Sequence, residues 1–488
     1  MFELLLPVLV PMVGGCLLWL FKGFENRKIR NVYVACVLVA ASAVTLYVTY
    51  TCTGTLTLWK ITDNAVLTLR CDGITKFFST LMCLVWTLVG FYAFDYMKHE
   101  ENEKRFFAFY LIVMGVLSGI YMSANLVTLY LFYELMTLTS LPLVLHSLTK
   151  EAISAGKKYL FYSIGGAFLS LVAIFYIYSV CDVSDFSAGG FMGSVSAGDR
   201  NMLLVFIFLA IVGFGCKAGL FPLQDWLPTA HPVAPSPASA VLSGIITKSG
   251  VIVIIRLVFY SVGADFIRDT WVQYAWMSLT LVTVFLGSMM AYTEKILKKR
   301  LAYSSVSQVS YVLFGLSLLN ATGFTGALLH VVFHSVIKNG LFLIAGSIIV
   351  NTGIKNVDEL RGIGKRMPVT IWCFTLLSLA LIGIPPASGF VSKWFLCLGA
   401  LESATGIFRY IGPAILLVSA LLTAGYLLPI TIKGFFPGND FDYDKCVKCD
   451  SSVLMAVPIV ILTAAAVCFG ICPGFLEEAA GMISGGLF

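Results

Sequence analysis

Apolar runs long enough to cross a bilayer follow one another along almost the whole chain, and no other feature constrains its fold as tightly. About 20 residues of helix span the hydrocarbon core. Fourteen such runs can be placed, at 2–22, 31–51, 74–96, 106–122, 124–146, 158–180, 201–221, 237–260, 271–292, 301–319, 323–350, 368–397, 410–433 and 452–474. Lipid-exposed backbone must satisfy its own hydrogen bonds, so the runs predict an all-α polytopic membrane protein of about fourteen transmembrane helices. Only 12% of the 488 residues are charged, against about 25% in a soluble domain. Connections of ~25 residues or fewer leave no soluble domain to hold a nucleotide, flavin or haem. The first run, opening Met1-Phe2-Glu3, has no basic leader or small-residue cleavage site and reads as a retained span.

The basic residues set an orientation. With residue 1 outside, the inner loops carry 21 of the 32 Lys and Arg, and the outer loops hold Lys60, Arg70, Arg200, Arg268 and Arg409. This obeys the positive-inside rule and predicts both termini outside a bacterial or archaeal cytoplasmic membrane. The net charge of +6 is then an orientation signal, and no nucleic-acid partner is expected. Thirteen scattered cysteines, an odd number without framework spacing, argue against disulfides. Cys446-Val447-Lys448-Cys449 is a lone CxxC and a weak metal pattern. The alternation from Thr53 to Trp59 and from Leu67 to Arg70, about Asp63-Asn64, predicts an outer β-hairpin.

Eight ionisable side chains remain inside the apolar runs: Glu134, Lys217, Lys248, Arg256, His330, His334, Lys338 and Lys393. One such charge costs about 2.5–3.5 kcal/mol to insert, so a series of them calls for a function. Glu134 is the single mid-membrane acid, and Lys217 is its natural partner. A pair of this kind is poor evidence for stability but makes a good proton switch. Lys248 lies mid-span, where an amine can exist charged or neutral and so pass a proton on. His330, His334 and Lys338, spaced by four, share one helix face over ~12 Å, an arrangement that can hand protons along. A metal site at the His pair is less favoured, because that span offers no carboxylate. Arg256 cannot release a proton at usable pH and reads as an anchor near the outer end of its span. Lys76 reads as an interfacial side chain reaching for the headgroups, and His99 and His146 as peripheral. His231, in a proline-rich inner connection, is a possible point of proton uptake.

Two spans carry helix breakers beside a lysine: Gly213–Pro222 around Lys217, and Gly383–Gly389 before Lys393. They are spans 7 and 12, and this odd separation of five reverses orientation. An inverted repeat therefore follows, of helices 4–8 (106–260) and helices 9–13 (261–435). Residues 1–105 form an N-terminal three-helix segment with the hairpin, and 436–488 hold helix 14.

The stretches Leu131–Met136, Lys217–His231, Ser236–Gly244, His330–Lys338 and Gly383–Pro386 resemble the antiporter-like subunit family. Respiratory complex I, energy-converting membrane hydrogenases and Mrp-type sodium/proton antiporters share that family. The resemblance implies two inverted five-helix bundles, broken helices 7 and 12, and a central polar axis. On it, Glu134 and Lys217 match the family's Glu–Lys pair, Lys248 its central lysine, His330, His334 and Lys338 the bridge on helix 11, and Lys393 the terminal residue of helix 12. The implied function is proton translocation in a multisubunit redox-driven pump, with membership of an Mrp-type antiporter as the alternative. No cofactor is expected on this chain; iron–sulfur clusters, nickel–iron or flavin belong to partner subunits. The expected partners are other membrane subunits, antiporter-like paralogues among them, peripheral redox subunits and the lipid bilayer. The short stretch after span 14 disfavours the most distal complex I subunit, with its long lateral helix.

Overall fold

The computed structural model describes residues 2–62, 65–181, 185–191, 195, 197–438, 441 and 448–488. Helices α1 (Leu6–Leu20) and α2 (Arg27–Thr51) lead into strands β1 (Thr55–Lys60) and β2 (Val66–Arg70), which pair antiparallel as the predicted hairpin. Its expected turn, Asp63-Asn64, lies outside the described residues, as does Cys446 of the CxxC. Then come α3 (Gly73–Tyr96), α4 (Glu103–Met122), α5 (Leu126–Val144), α6 (Lys150–Val180), α7 (Ala197–Ala218), α8 (Leu227–Val233), α9 (Ser236–Val241), α10 (Thr247–Ile255) and α11 (Ala264–Ile267). The second half holds α12 (Trp271–Thr293), α13 (Leu297–Ser317), α14 (Ala321–Thr352), α15 (Ile363–Arg366), α16 (Pro368–Ile382), α17 (Ser388–Glu402), α18 (Phe408–Phe435), α19 (Val453–Ile471) and α20 (Gly474–Gly485).

Twelve helical stretches among the described residues are long and apolar enough to cross a membrane, and the chain is a multi-pass membrane protein. Helix starts follow side-chain chemistry. Asn26, Asp72, Asn125, Thr149 and Asn320 each accept a backbone N–H at the first turn of α2, α3, α5, α6 and α14. The most apolar stretches of Ser236–Val262 and of α14 are wholly buried. The two segments richest in membrane charge therefore lie at the centre. Serine-rich α13 is less apolar but is also buried along nearly its whole length, packed between α12 and α14. Phe161, Leu421 and Val453 on α6, α18 and α19 are strongly exposed, as side chains facing acyl chains should be.

Both predicted breaks are present, and the lysines flank them. Helix α7 stops at Ala218, one residue past Lys217, and Gly219 turns the chain with φ +83°. Gly383 does the same after α16, with φ +89°, and a Cβ there would meet Cδ of Lys393 at 3.0 Å. Glycine thus supplies both the left-handed turn and the space for the lysine stem. The span holding Lys248 widens to π-helical turns at Leu242–Ile246 and Arg256–Val262. Side chains take carbonyls on these turns: Lys248 Nζ donates to Ser243 O at 2.7 Å and Ser261 Oγ to Arg256 O at 3.1 Å.

Arg256 is more than an anchor at the span end. It is 1% exposed and donates to Asp72, Nη1 to Oδ2 at 2.5 Å and Nη2 to Oδ1 at 2.9 Å. Burial pushes the Asp72 carboxyl up, but Arg256 and Thr75 outweigh it and hold the group well below the usual carboxylate range. The pair's contribution is therefore complete above about pH 4 and falls away as acid protonates Asp72. Asp72→Asn should destabilise the assembled protein by about 3 kcal/mol, because a buried guanidinium loses its counter-charge. Thermal melts at pH 7 check this, and the wild-type advantage should shrink toward pH 3. His146, expected at the periphery, is buried with Nε2 on Glu101 O at 2.8 Å, whereas His99 is exposed.

Candidate functional site

The charged side chains divide into two groups. In the first, Lys217 Nζ donates to Thr137 Oγ1 at 2.7 Å, Tyr159 OH at 3.0 Å and Ser163 Oγ at 3.2 Å. The tyrosine face adds a cation–π contact, 4.7 Å from Nζ to the Tyr159 centroid. The expected Glu134–Lys217 contact is not made. Glu134 is half-buried and accepts from Tyr130 OH at 3.2 Å, and no ion pair joins it to Lys217. Thr137 lies three residues past Glu134 on α5, so the ammonium is displaced ~4.5 Å along the same helix. Three hydroxyls can solvate an ammonium as water does, which explains why it is stable apart from the acid.

The second group is continuous. Lys248 Nζ lies 2.7 Å from His334 Nδ1. The His334 ring stacks on His330 with centroids 6.0 Å apart, matching the four-residue rise of α14. His330 Nδ1 meets Ser392 Oγ at 2.9 Å. The His330 ring also stacks on Tyr311 at 5.4 Å, and Lys393 Nζ lies 5.3 Å from the centroid of the same Tyr311 ring. Lys393 donates to the last carbonyls of α16, Leu381 O at 2.8 Å and Ile382 O at 2.7 Å. A cation is favoured there by the negative end of the helix dipole. An unbroken series of contacts thus runs from α10 through α14 to α17.

Lys338, one turn beyond His334, turns aside to Leu301 O at 3.0 Å. His231 is buried, its ring stacked 4.6 Å from Phe342 on the next turn of α14. It lies within electrostatic reach of Lys298, Lys338 and Lys248. Lys298 is itself buried and donates to Ala234 O, three residues after His231. Between the two groups, α10 passes tightly against the end of α7: a Cβ on Gly250 would meet Ala218 N and Phe214 O at 2.8 Å.

Several buried polar atoms have no hydrogen-bond partner among the described residues: Nε2 of His330 and His334, both ring nitrogens of His231, both amide atoms of Gln308, and Ser310 Oγ. Other α13 serines pin helices together. Ser305 bonds Ser243, Ser307 bonds Ser288, and Ser304 accepts from Tyr426. Tyr159, Ser163, Tyr311, Ser392 and Lys298 belong to these groups without having stood out in the sequence. Ser392 alone carried a signal there, as the neighbour of Lys393.

The family described as "NADH:quinone oxidoreductase/Mrp antiporter, TM" matches residues 123–423, and "NADH-Ubiquinone oxidoreductase (complex I), chain 5 N-terminus" matches 60–107. An NADH-quinone oxidoreductase subunit of Desulforudis audaxviator is 32% identical over 350 residues, 71% of this chain and 68% of the relative. A Na(+)/H(+) antiporter subunit of Alkalihalophilus pseudofirmus is 28% identical over 477 residues, 94% of this chain and 92% of the relative. A chain of the Mrp complex from a Dietzia species shares the fold, with TM-score 0.83 at 21% identity, covering 100% of this chain and 98% of that one. The sequence resemblance and these matches agree: the chain belongs to the antiporter-like membrane-subunit family common to NADH:quinone oxidoreductases and Mrp antiporters.

Proposed function

We propose that this subunit carries protons along the membrane plane within a multisubunit redox-driven pump, and that it holds no redox centre of its own. One observation carries the reading: the chain of contacts in the buried centre from Lys248 through His334 and His330 to Ser392, and by way of the Tyr311 ring to Lys393. Two amines flank a pair of imidazoles there; a proton can cross directly at the 2.7 Å Lys248–His334 contact and through bridging water elsewhere. The partnerless nitrogens and amides along it need hydrogen-bond partners, and water fits that need.

Protons would be taken up from the cytoplasm near His231 and Lys298. Motion of Lys217 between the hydroxyls and Glu134 would change the field at Lys248 and drive the handover. Lys338 tunes the row electrostatically, and Lys393 is the point of release. Both termini lie outside, and 106–260 and 261–435 act as inverted halves about this axis. Iron–sulfur, nickel–iron or flavin centres reside in peripheral redox partners, alongside antiporter-like paralogues in the membrane. Similarity over 94% of the chain to a sodium/proton antiporter component supports a second reading, membership of an Mrp-type antiporter.

The purified assembly in proteoliposomes separates the two. A redox pump acidifies the lumen on addition of its electron donor in sodium-free medium. An antiporter moves protons only when a sodium gradient is imposed. In either assembly, His231→Ala should slow proton uptake about a hundredfold, the lower range for a lost acid–base group, as read by a pH-sensitive dye.

A further inference from the structure

A cavity of about 840 Å³ opens between α3, α14, α19 and α20, away from the charged row. It lies within the ~300–1,000 Å³ range of small-molecule sites. Its lining is apolar apart from a single charged residue, Lys76, and three hydroxyl-bearing residues, Tyr260 and the pair Thr80 and Tyr50, whose hydroxyls bond each other at 3.1 Å. Lys76 sits in the first turn of α3, just after the hairpin, and so at the end of a membrane-length helix, where a lysine can reach phospholipid headgroups. Its Nζ lies 5.7 Å over the Tyr50 ring, and no carboxylate among the described residues forms an ion pair with it. The C-terminal helix α20 turns Leu476 and Ile483 into the cavity and keeps Glu477 and Glu478 out of the lining.

We propose that this cavity is a binding site for one anionic glycerophospholipid, its acyl chain between α3, α14 and α20 and its phosphate on Lys76, Thr80 and Tyr50. Charge complementarity selects the occupant: one cation and two hydroxyls at the mouth of an apolar volume match a phosphodiester joined to hydrocarbon. The site also reaches the pumping machinery from behind. Val332 and Val336 line it, two residues to either side of His334 and so on the opposite face of α14. An occupied site supports the helix that carries the His row.

The test uses the assembled complex in nanodiscs of phosphatidylethanolamine and phosphatidylglycerol, with lipids retained after gentle extraction counted by native mass spectrometry. One ammonium near a headgroup favours the anionic lipid by about fivefold. Wild type should retain phosphatidylglycerol over phosphatidylethanolamine by that factor. Lys76→Gln should lose one phosphatidylglycerol per copy of this chain, and Lys76→Arg should keep it. Equal retention of the two lipids by wild type overturns the proposal, as does an unchanged count in Lys76→Gln. So does a map of the complex in which a neighbouring protein fills the cavity.

Discussion

Replacing Lys248 by alanine should reduce proton translocation by the assembled complex about a hundredfold, the range expected when a positioned proton carrier is removed. Assembly should survive, because the change removes a costly buried charge and leaves its neighbours in place. His334 Nδ1 and Ser243 O lose their shared partner, and the contact series is cut at its first member. Lys248→Arg is the sharper variant. It keeps a cation in the row, yet a guanidinium does not give up its proton at usable pH. Both variants should therefore fail alike in proteoliposome pumping assays. Substantial pumping by the arginine variant would show that Lys248 supplies fixed charge only.

Lys393 should give a split result. Its ammonium caps the carbonyls of Leu381 and Ile382, so Lys393→Ala removes both a proton carrier and the cap of a broken helix. That variant should lose most translocation, again by about a hundredfold. It should also lower stability by ~1–2 kcal/mol, the scale of a charge at a helix end. Lys393→Arg should restore the melting temperature and leave translocation near the alanine level. If arginine rescues both, Lys393 acts as a structural cap. If alanine leaves pumping intact, the proposed release point is elsewhere.

The parts of this architecture set by local chemistry were legible in the sequence. Apolar length gives the membrane helices, and Gly with Pro gives the two breaks. A spacing of four puts His330, His334 and Lys338 on one face of α14. What needed the fold were partnerships between distant segments. Asp72 and Arg256 are 184 positions apart, and nothing local marks Asp72 as the counter-ion. The π turns around Lys248 arise where a lysine and a serine draw carbonyls out of the regular ladder. Glu134 and Lys217 pair in the sequence because each is the obvious counter-charge of the other. Nothing in it signals that Thr137, Tyr159 and Ser163 converge to solvate the ammonium instead. Likewise Tyr311 and Ser392 reach the row only through the packing of α13 and α17 on α14.

The most direct measurement is a cryo-EM map of the complete complex at a resolution that reveals ordered water along α10, α14 and α17. A proton route at mid-depth requires water beside Nε2 of His330 and His334 and beside Gln308, linking the Lys217 hydroxyl cluster to Lys248 and running on to Lys393. Density for that thread is the predicted result. Dry, apolar packing around those atoms, with Lys217, Lys248 and Lys393 in separate sealed pockets, would contradict the account.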